Sequence, residues 1–370
     1  MKKKGVSGVI TTLIIILLVL VAIGILWVIV NNLIVKGVGH IWLGSFFVKL
    51  SIQNIKVNNN GDLFLTLKRN VGSGEIVGVE FIISDGINSI IVKRTTNIKE
   101  IGLEIFKINS SEISNIGFIE KISIAPIYKT PSGEEELGGK TDSYNLNGID
   151  SLKSHFGLIS WWRFEGNVDD EISGHFGSIK NGADCNVGGK FGKSCKFEGA
   201  VTSKYIEIPS SDDFLIDNGT IILWFKSDDL SLTQGIFSKD AINYGTGGHL
   251  TIYIENSKLK VRLRNIFNDF FIEMPYSLER NKWYFVALKF GDGGMNLYLD
   301  NYPPIINLSY SGGIGNKEPI AIGASTRNSG DLLVVPLDSF FNGKIDDIII
   351  FNVSLNNNEI NQLKNLNLNN

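Results

Sequence analysis

Cysteine is nearly absent from this 370-residue chain: there are two, Cys185 and Cys195. Histidine is almost as scarce, with His40, His155, His175 and His249 scattered along the sequence and no HExxH or CxxC spacing. That excludes a zinc site built on closely paired Cys and His ligands. Neither sign of charge dominates. The 35 Lys and Arg against 38 Asp and Glu leave a net charge of −3, which gives no reason to expect a nucleic-acid partner. Proline is sparse at 8 residues, whereas 40 glycines and 22 phenylalanines suit many short strands joined by turns. The length exceeds one ordinary core, so two or three units are expected.

What the sequence does have is one long apolar run. It opens MKKKGVSGVITTLIIILLVLVAIGILWVIVNNLIVKG, and residues 9–30 carry no charge. About 20 such residues cross a hydrocarbon core of ~30 Å as a helix. Trp27 sits near the far end, where an indole suits the interface, and Lys2, Lys3 and Lys4 keep the N-terminus in the cytoplasm. Everything after Asn31 is therefore expected outside the cell, on a single-pass protein of the cell membrane with membrane lipid as its first partner. A secretory signal peptide would have a shorter apolar region ending in a small-residue cleavage site; Asn31, Asn32 and Leu33 follow instead. The run KKKG, VSGVI and the unbroken apolar helix resembles the class III signal of archaeal type IV pilins and archaellins. In that family the cut falls on the cytoplasmic side of the helix, here between Gly5 and Val6, and the helix stays on the mature protein. Where bacterial pilins carry Glu at the fifth mature position, this chain has Ile10, as many archaeal members do. A plain signal anchor is the alternative.

After Gly44 the apolar period becomes two. In FFVKLSIQNIKV, Val48, Leu50 and Ile52 share a face, and Leu63, Leu65 and Leu67 do the same in DLFLTLKRN. Further strands are expected at 76–84, 89–95, 102–108 and 120–128, with turns at Asn60-Gly61, Asp85-Gly86 and Pro131-Ser132-Gly133. Residues 39–150 thus predict a small β-sandwich, immunoglobulin-like in strand number. The run RNVGSGEIVGVEFIISDG resembles surface domains that follow the anchor in archaeal pilin-like proteins. Glu134, Glu135 and Glu136 read as a solvated loop, and 148–154 as a polar linker.

From about residue 155 strand patterns recur every ten residues or so: LISWWRFEG, TIILWFKSD, HLTIYIEN, KLKVRLRN, KWYFVALKF, GMNLYLDN, PIAIGAS and GKIDDIIIFN. No helical period appears until 357–364. This argues for a large two-sheet jelly roll over 155–370, giving an all-β chain behind its N-terminal transmembrane helix at 1–38. The landmarks ISWWRFEGN, GGKFGKSCKFEG, YIEIPSSDDF, GTIILWFKSDDLS, GIFSKD, KWYFVALKFGDGGMNLYLDN, IAIGA and FNGKIDDIIIFNVSLNNNEINQL, in that order, resemble the LamG-like domain of the concanavalin A-like lectin/glucanase fold. Cys185 and Cys195 flank the turn GGKFGKS and are expected to pair outside the cell, which on the chain-entropy model contributes ~2–3 kcal/mol.

The resemblance implies a structural calcium ion. Its candidate ligands are Asp169, Asp170 and Glu171 near the first strand, and Asp346 and Asp347 in the last, because calcium takes six to eight oxygens. Glu171 stands where the family usually has Asp. Strict alternation puts Asp347 on the face of Ile345, Ile349 and Phe351, where a carboxylate must be paired or ligated; an Asp346 salt bridge or a bulge is the alternative. Glycosidases of this fold place two Glu and an Asp at alternating positions of one strand; neither DDEIS nor IDDIII does, and no GxSxG occurs. Catalysis on polysaccharides is therefore not expected. Binding is: Lys258, Lys260, Arg262 and Arg264 alternate onto one face, and a two-residue turn at Asn256-Ser257 sets Glu255 opposite Lys258 and Tyr253 opposite Lys260. Such a face would suit an anionic or sulfated glycan or an acidic protein; a solvated strand face is the alternative. Trp162 reads as core and Trp161 as packed beneath a loop, rather than the pair as a sugar platform. Asn109, Asn218, Asn307 and Asn352 head N-glycosylation triplets. Together these features predict a non-enzymatic surface protein for adhesion or recognition, or a purely structural surface or filament subunit built from copies of itself.

Overall fold

The computed structural model describes residues 5–38, 48–72, 74–130, 132–240, 248–265, 268–325 and 339–368, with helix side chains over 12–31. Helix α1 (Gly5–Val38) contains the apolar stretch Thr12–Asn31, none of it buried against the rest of the protein. Gly5 and Val6 are its first two residues.

The small sandwich has two sheets. One is β1 (Leu50–Val57), β2 (Leu63–Arg69) and β5 (Leu103–Ile108). The other orders β4 (Ser89–Thr95), β3 (Glu75–Ser84), β6 (Lys121–Lys129) and β7 (Glu135–Leu137), with β8 (Asp142–Asn145) also on β6. Leu50, Leu63, Leu65, Leu67, Phe81 and Ile124 meet in its core. A register shift between Ile52 and Asn54 changes the phase of β1, so that Ile55 joins Leu50 inside; one extra residue does this in an antiparallel pair. Two expectations are corrected. Glu135 and Glu136 lie in strand β7, paired to β6, rather than in a loop. The polar linker is a capped helix, α2 (Gly148–Lys153): the Asn147 side chain accepts from the Asp150 amide, and Leu152 is buried. Pro131 of the third expected turn lies outside the described residues.

The jelly roll stacks two larger sheets. The seven-stranded sheet runs β10 (Ser178–Lys180), β13 (Tyr205–Ile208), β22 (Ile320–Ile322), β15 (Gln234–Lys239), β16 (His249–Glu255), β17 (Lys258–Arg264) and β18 (Asp269–Glu273). The eight-stranded sheet runs β11 (Asp184–Gly188), β12 (Lys193–Glu198), β23 (Asn342–Phe351), β14 (Gly219–Ser227), β19 (Trp283–Gly291), β20 (Gly294–Leu299) and β21 (Ile305–Asn307), with β9 (Leu158–Trp162) also on β23. Between the sheets lie Trp162, Phe164, Phe225, Phe237, Ile252, Val261 and their neighbours. Cys185 and Cys195 form a disulfide across the β11–β12 hairpin.

The outer face of the eight-stranded sheet is closed. Trp161, Ile222, Trp224, Phe285 and Ile349 form a second apolar layer with α2, with α3 (Asn357–Asn365) and with Phe118 of the small sandwich. The Phe118 and Phe351 rings meet edge-on at 5.9 Å. Gln362 of α3 donates to the Asp85 carbonyl at 3.0 Å and to Glu120 at 3.1 Å, so this helix bolts the two sandwiches together. A cleft opens along that seam, lined by Phe118, Asn358, Gln362 and Leu366 among others.

Candidate recognition face

The polar counterpart is the outer face of the seven-stranded sheet. On β16 and β17, Leu250, Ile252, Ile254, Leu259, Val261 and Leu263 point into the sandwich core. The alternate positions, which include Lys258, Lys260, Arg262 and Arg264, therefore point outward. The hairpin has the expected register, Glu255 opposite Lys258 and Tyr253 opposite Lys260. Asn256 and Ser257 both have φ near +55° (53° and 59°), as a two-residue turn of the twist-matched kind requires.

The other side of β17 corrects the expectation of a free cationic stripe. Strand β18 sets Glu273 opposite Lys260 and Asp269 opposite Arg264. Lys258 bonds Glu273 at 2.5 Å, while Lys260 bonds Glu255 at 2.9 Å and Glu273 at 2.8 Å. Glu273 and then Glu255 hold the Lys260 ammonium above its ordinary pKa; Lys258 and Lys260 hold the Glu273 carboxyl below its own. Buried Arg262 bridges Asp240 and, at 2.6 Å, Asp269, and Thr251 donates to Asp240 at 2.8 Å. Four cations thus share a face with Asp240, Glu255, Asp269 and Glu273, and its charge is balanced. Nothing in the hairpin itself signals the acids of β18, because cross-strand partners belong to tertiary pairing.

Phe271 stands in the middle of this ladder. It lies on β18 between Asp269 and Glu273, opposite Arg262, with 47% of its surface exposed. Its parity in DFFIE places it with the two acids rather than with Phe270 and Ile272, and that was the sequence signal available for it.

Three histidines are drawn to carboxylates. His175 is held on both ring nitrogens, Nδ1 by buried Asp170 at 3.0 Å and Nε2 by Asp213 at 2.9 Å, and its pKa is raised, chiefly by the Asp170 hydrogen bond. His155 meets Glu359 of α3 at 3.4 Å, on the jelly-roll side of the seam. His249 Nδ1 meets Glu318 Oε1 at 3.0 Å beside Asp240. Glu318 is fully buried, its Oε2 has no partner among the described residues, and burial pushes its carboxyl up to about 7. Nearby, buried Lys239 donates to the carbonyls of Phe214, Ile314 and Asn316, and burial lowers its pKa to about 8. His40 lies outside the described residues.

Of the carboxylates expected to bind calcium, Asp170, Asp346 and Asp347 accept from N–H donors, and the buried Asp346 Oδ1 has no partner among the described residues. Asp170 accepts from the amides of Trp161, Ile172, Ser173 and His175, at 2.9 to 3.2 Å. These bonds, with His175, outweigh burial and lower its pKa. Asp347 accepts from the Trp161 indole at 2.8 Å, and Asp346 from the amides of Lys190 and Phe191. Burial raises the pKa of both Asp346 and Asp347. Among the described residues no three acidic, His or Cys side chains gather as a metal site. The expected face of Asp347 is corrected as well. β23 carries a bulge there, with Asp347 at φ 44°, so Ile345, Ile348 and Ile350 face the inter-sheet core while Ile349 and Phe351 face outward. Trp161 and Trp162 are both fully buried.

Of the glycosylation candidates, Asn109 and Asn352 are exposed. The Asn109 Nδ2 donates to Glu112, and the Asn307 Nδ2 donates to the Phe271 carbonyl at 3.1 Å. Asn218 accepts from the Asp292 amide through Oδ1.

Residues 197–361 match the family model of the concanavalin A-like lectin/glucanases superfamily. A search of curated proteins returns no match. Among solved structures, the chain is similar to domain 4 of AbnA, an extracellular arabinanase of Geobacillus stearothermophilus in complex with arabinotriose, at 15% identity and TM-score 0.44, covering 56% of this chain and 98% of that one. It is also similar to the botulinum neurotoxin serotype D binding domain (19%, TM-score 0.43), covering 56% of this chain and 51% of that one. A third is the Ruminococcus gnavus sialidase CBM40 bound to α2,3 sialyllactose (18%, TM-score 0.33), covering 39% and 80%. Likenesses this distant carry no information about ligand.

Proposed function

We propose that this chain is a non-catalytic, single-pass cell-surface protein whose jelly roll recognises an uncharged glycan on the face around Phe271. The observation that carries the reading is an exposed aromatic ring flanked by a charge-balanced ladder of hydrogen-bonding groups. A ring presents an apolar platform to the C–H face of a sugar, and ionised neighbours offer both acceptors and donors to its hydroxyls. Because cations and acids offset one another, a neutral ligand fits this face better than the anionic one that the β17 stripe alone suggested. The anchor rests on α1, whose apolar residues need a non-aqueous surrounding.

A glycan array on the full chain in detergent, with and without calcium, tests the reading. We expect binding to neutral glycans that changes little with salt, and about a tenfold loss in Phe271→Ala, the equivalent of ~1.4 kcal/mol. Preference for sulfated glycans, or binding unchanged in Phe271→Ala, would discard it. Pilin-type processing is part of the same proposal: mass spectrometry of the mature protein should find Val6 at the N-terminus. A start at Met1 leaves a plain signal anchor, and a start beyond about Asn31 removes the anchor.

A further inference from the structure

The small sandwich has two ends, and they differ. One end carries Asp85, Gly117 and Phe118 and is docked on the jelly roll. The other is where the chain enters β1, and it holds the β2–β3 and β4–β5 turns. These turns are locked together. The Arg69 amide donates to the Gly102 carbonyl at 3.0 Å, and Asn70 to the Lys49 carbonyl at 2.9 Å. The buried Arg69 guanidinium donates to the carbonyls of Ile98, Gly72 and Gly74, and the Gly72 amide donates to Glu100.

This rigid tip presents apolar side chains to the outside. Val71 is 69% exposed, Ile101 62% and Leu103 64%. Ile101 is held at φ 62°, in the left-handed region, which costs a β-branched residue ~1–2 kcal/mol. An exposed isoleucine in that conformation gains nothing from the fold to offset the cost. The position of the tip names the occupant. Only nine residues, GHIWLGSFF, separate Val38 of α1 from Val48, and they reach at most ~35 Å. Their own composition, with Trp42, Phe46 and Phe47, is that of a membrane interface.

We propose that Val71, Ile101 and Leu103 seat in the interfacial layer of the same bilayer that holds α1, standing the head upright on the membrane. This rests on reading α1 as lipid-embedded. The same end also carries Glu75, Glu100, Glu104, Glu134 and Glu135 alongside Lys49, Lys68, Lys99 and Lys129, so the surface it fits is zwitterionic phospholipid rather than an anionic one.

The test uses the full chain in phosphatidylcholine vesicles, labelled without reductant so that the disulfide stays closed. An environment-sensitive fluorophore is placed at Trp27→Cys in the helix, at Ile101→Cys in the tip, or at Leu308→Cys, an exposed site on the jelly roll. We expect blue-shifted emission at 27 and 101, both quenched by nitroxide at the headgroup level, and neither effect at 308. Quenching at 27 with a water-like 101 overturns the proposal and leaves the anchor standing. No quenching at 27 overturns the anchor, and the proposal with it. A blue shift at 101 that ignores lipid nitroxide but grows with protein density assigns the tip to a second copy and also overturns it. With the label moved to Val71→Cys, Ile101→Asn, which suits the left-handed backbone, should at least halve the quenching; unchanged quenching counts against the role of Ile101.

Discussion

The two outer faces of the jelly roll use the same pleated architecture to opposite ends. On the eight-stranded sheet, Trp161, Trp224, Phe285 and Ile349 meet α2, α3 and Phe118, and water is excluded by apolar packing. On the seven-stranded sheet, Arg262, Asp240 and Thr251 are just as buried, yet they are satisfied through ion pairs and hydrogen bonds. Alternation along a strand decides which side chains go outward; what the outward set then does is decided by its neighbours.

That contrast can be broken most severely on the closed face. Trp161→Ala should destabilise the protein by ~4 kcal/mol, read as the midpoint of urea unfolding, because it empties a packed site and orphans Asp347. On the polar face, Arg262→Met should cost ~3 kcal/mol by leaving Asp240 buried without its partner, and adding Asp240→Asn should recover more than half. A smaller effect follows from Glu318. Its raised pKa means that the folded state holds a proton the unfolded state has lost, so stability falls as pH rises from about 4.5 to about 7. Asp346 and Asp347, also raised by burial, add to the same fall, so Glu318→Gln should make that stretch of a thermal-melting profile shallower and add ~2 kcal/mol at pH 8. His175, raised by Asp170, contributes stability that is complete below the ordinary histidine value of ~6.5 and fades at higher pH, and it shares the slope above neutrality with Asp346, which burial raises to about 8. Smallest of all, Lys258→Ala at the rim should change stability by at most ~0.5 kcal/mol. A large effect there would mean that the rim is not solvated as the comparison requires.

Much of this was legible in the sequence. Strand β4, the β16–β17 register, the Cys185–Cys195 pairing and the burial of both tryptophans follow from period, turn chemistry and spacing. The bulge at Asp347 does not, because alternation predicts phase only until one residue is inserted, and the insertion depends on what pairs with the strand. α2 was hidden for a related reason: six residues are too few to show a helical period, and Ile149 and Leu152 have nothing to face until the jelly roll is present. The ion ladder joins residues from four segments, and only the tertiary pairing, above all of β18 with β17, reveals that the cations are matched.

The α3 bolt has a temporal consequence. It is made only after the last strand of the jelly roll, so during synthesis the Gln362 bonds to Asp85 and Glu120 and the Phe351 contact of Phe118 form after the small sandwich has emerged. Until then Phe118 has only early neighbours such as Leu152 and His155 to pack against, and the seam stays partly open to water.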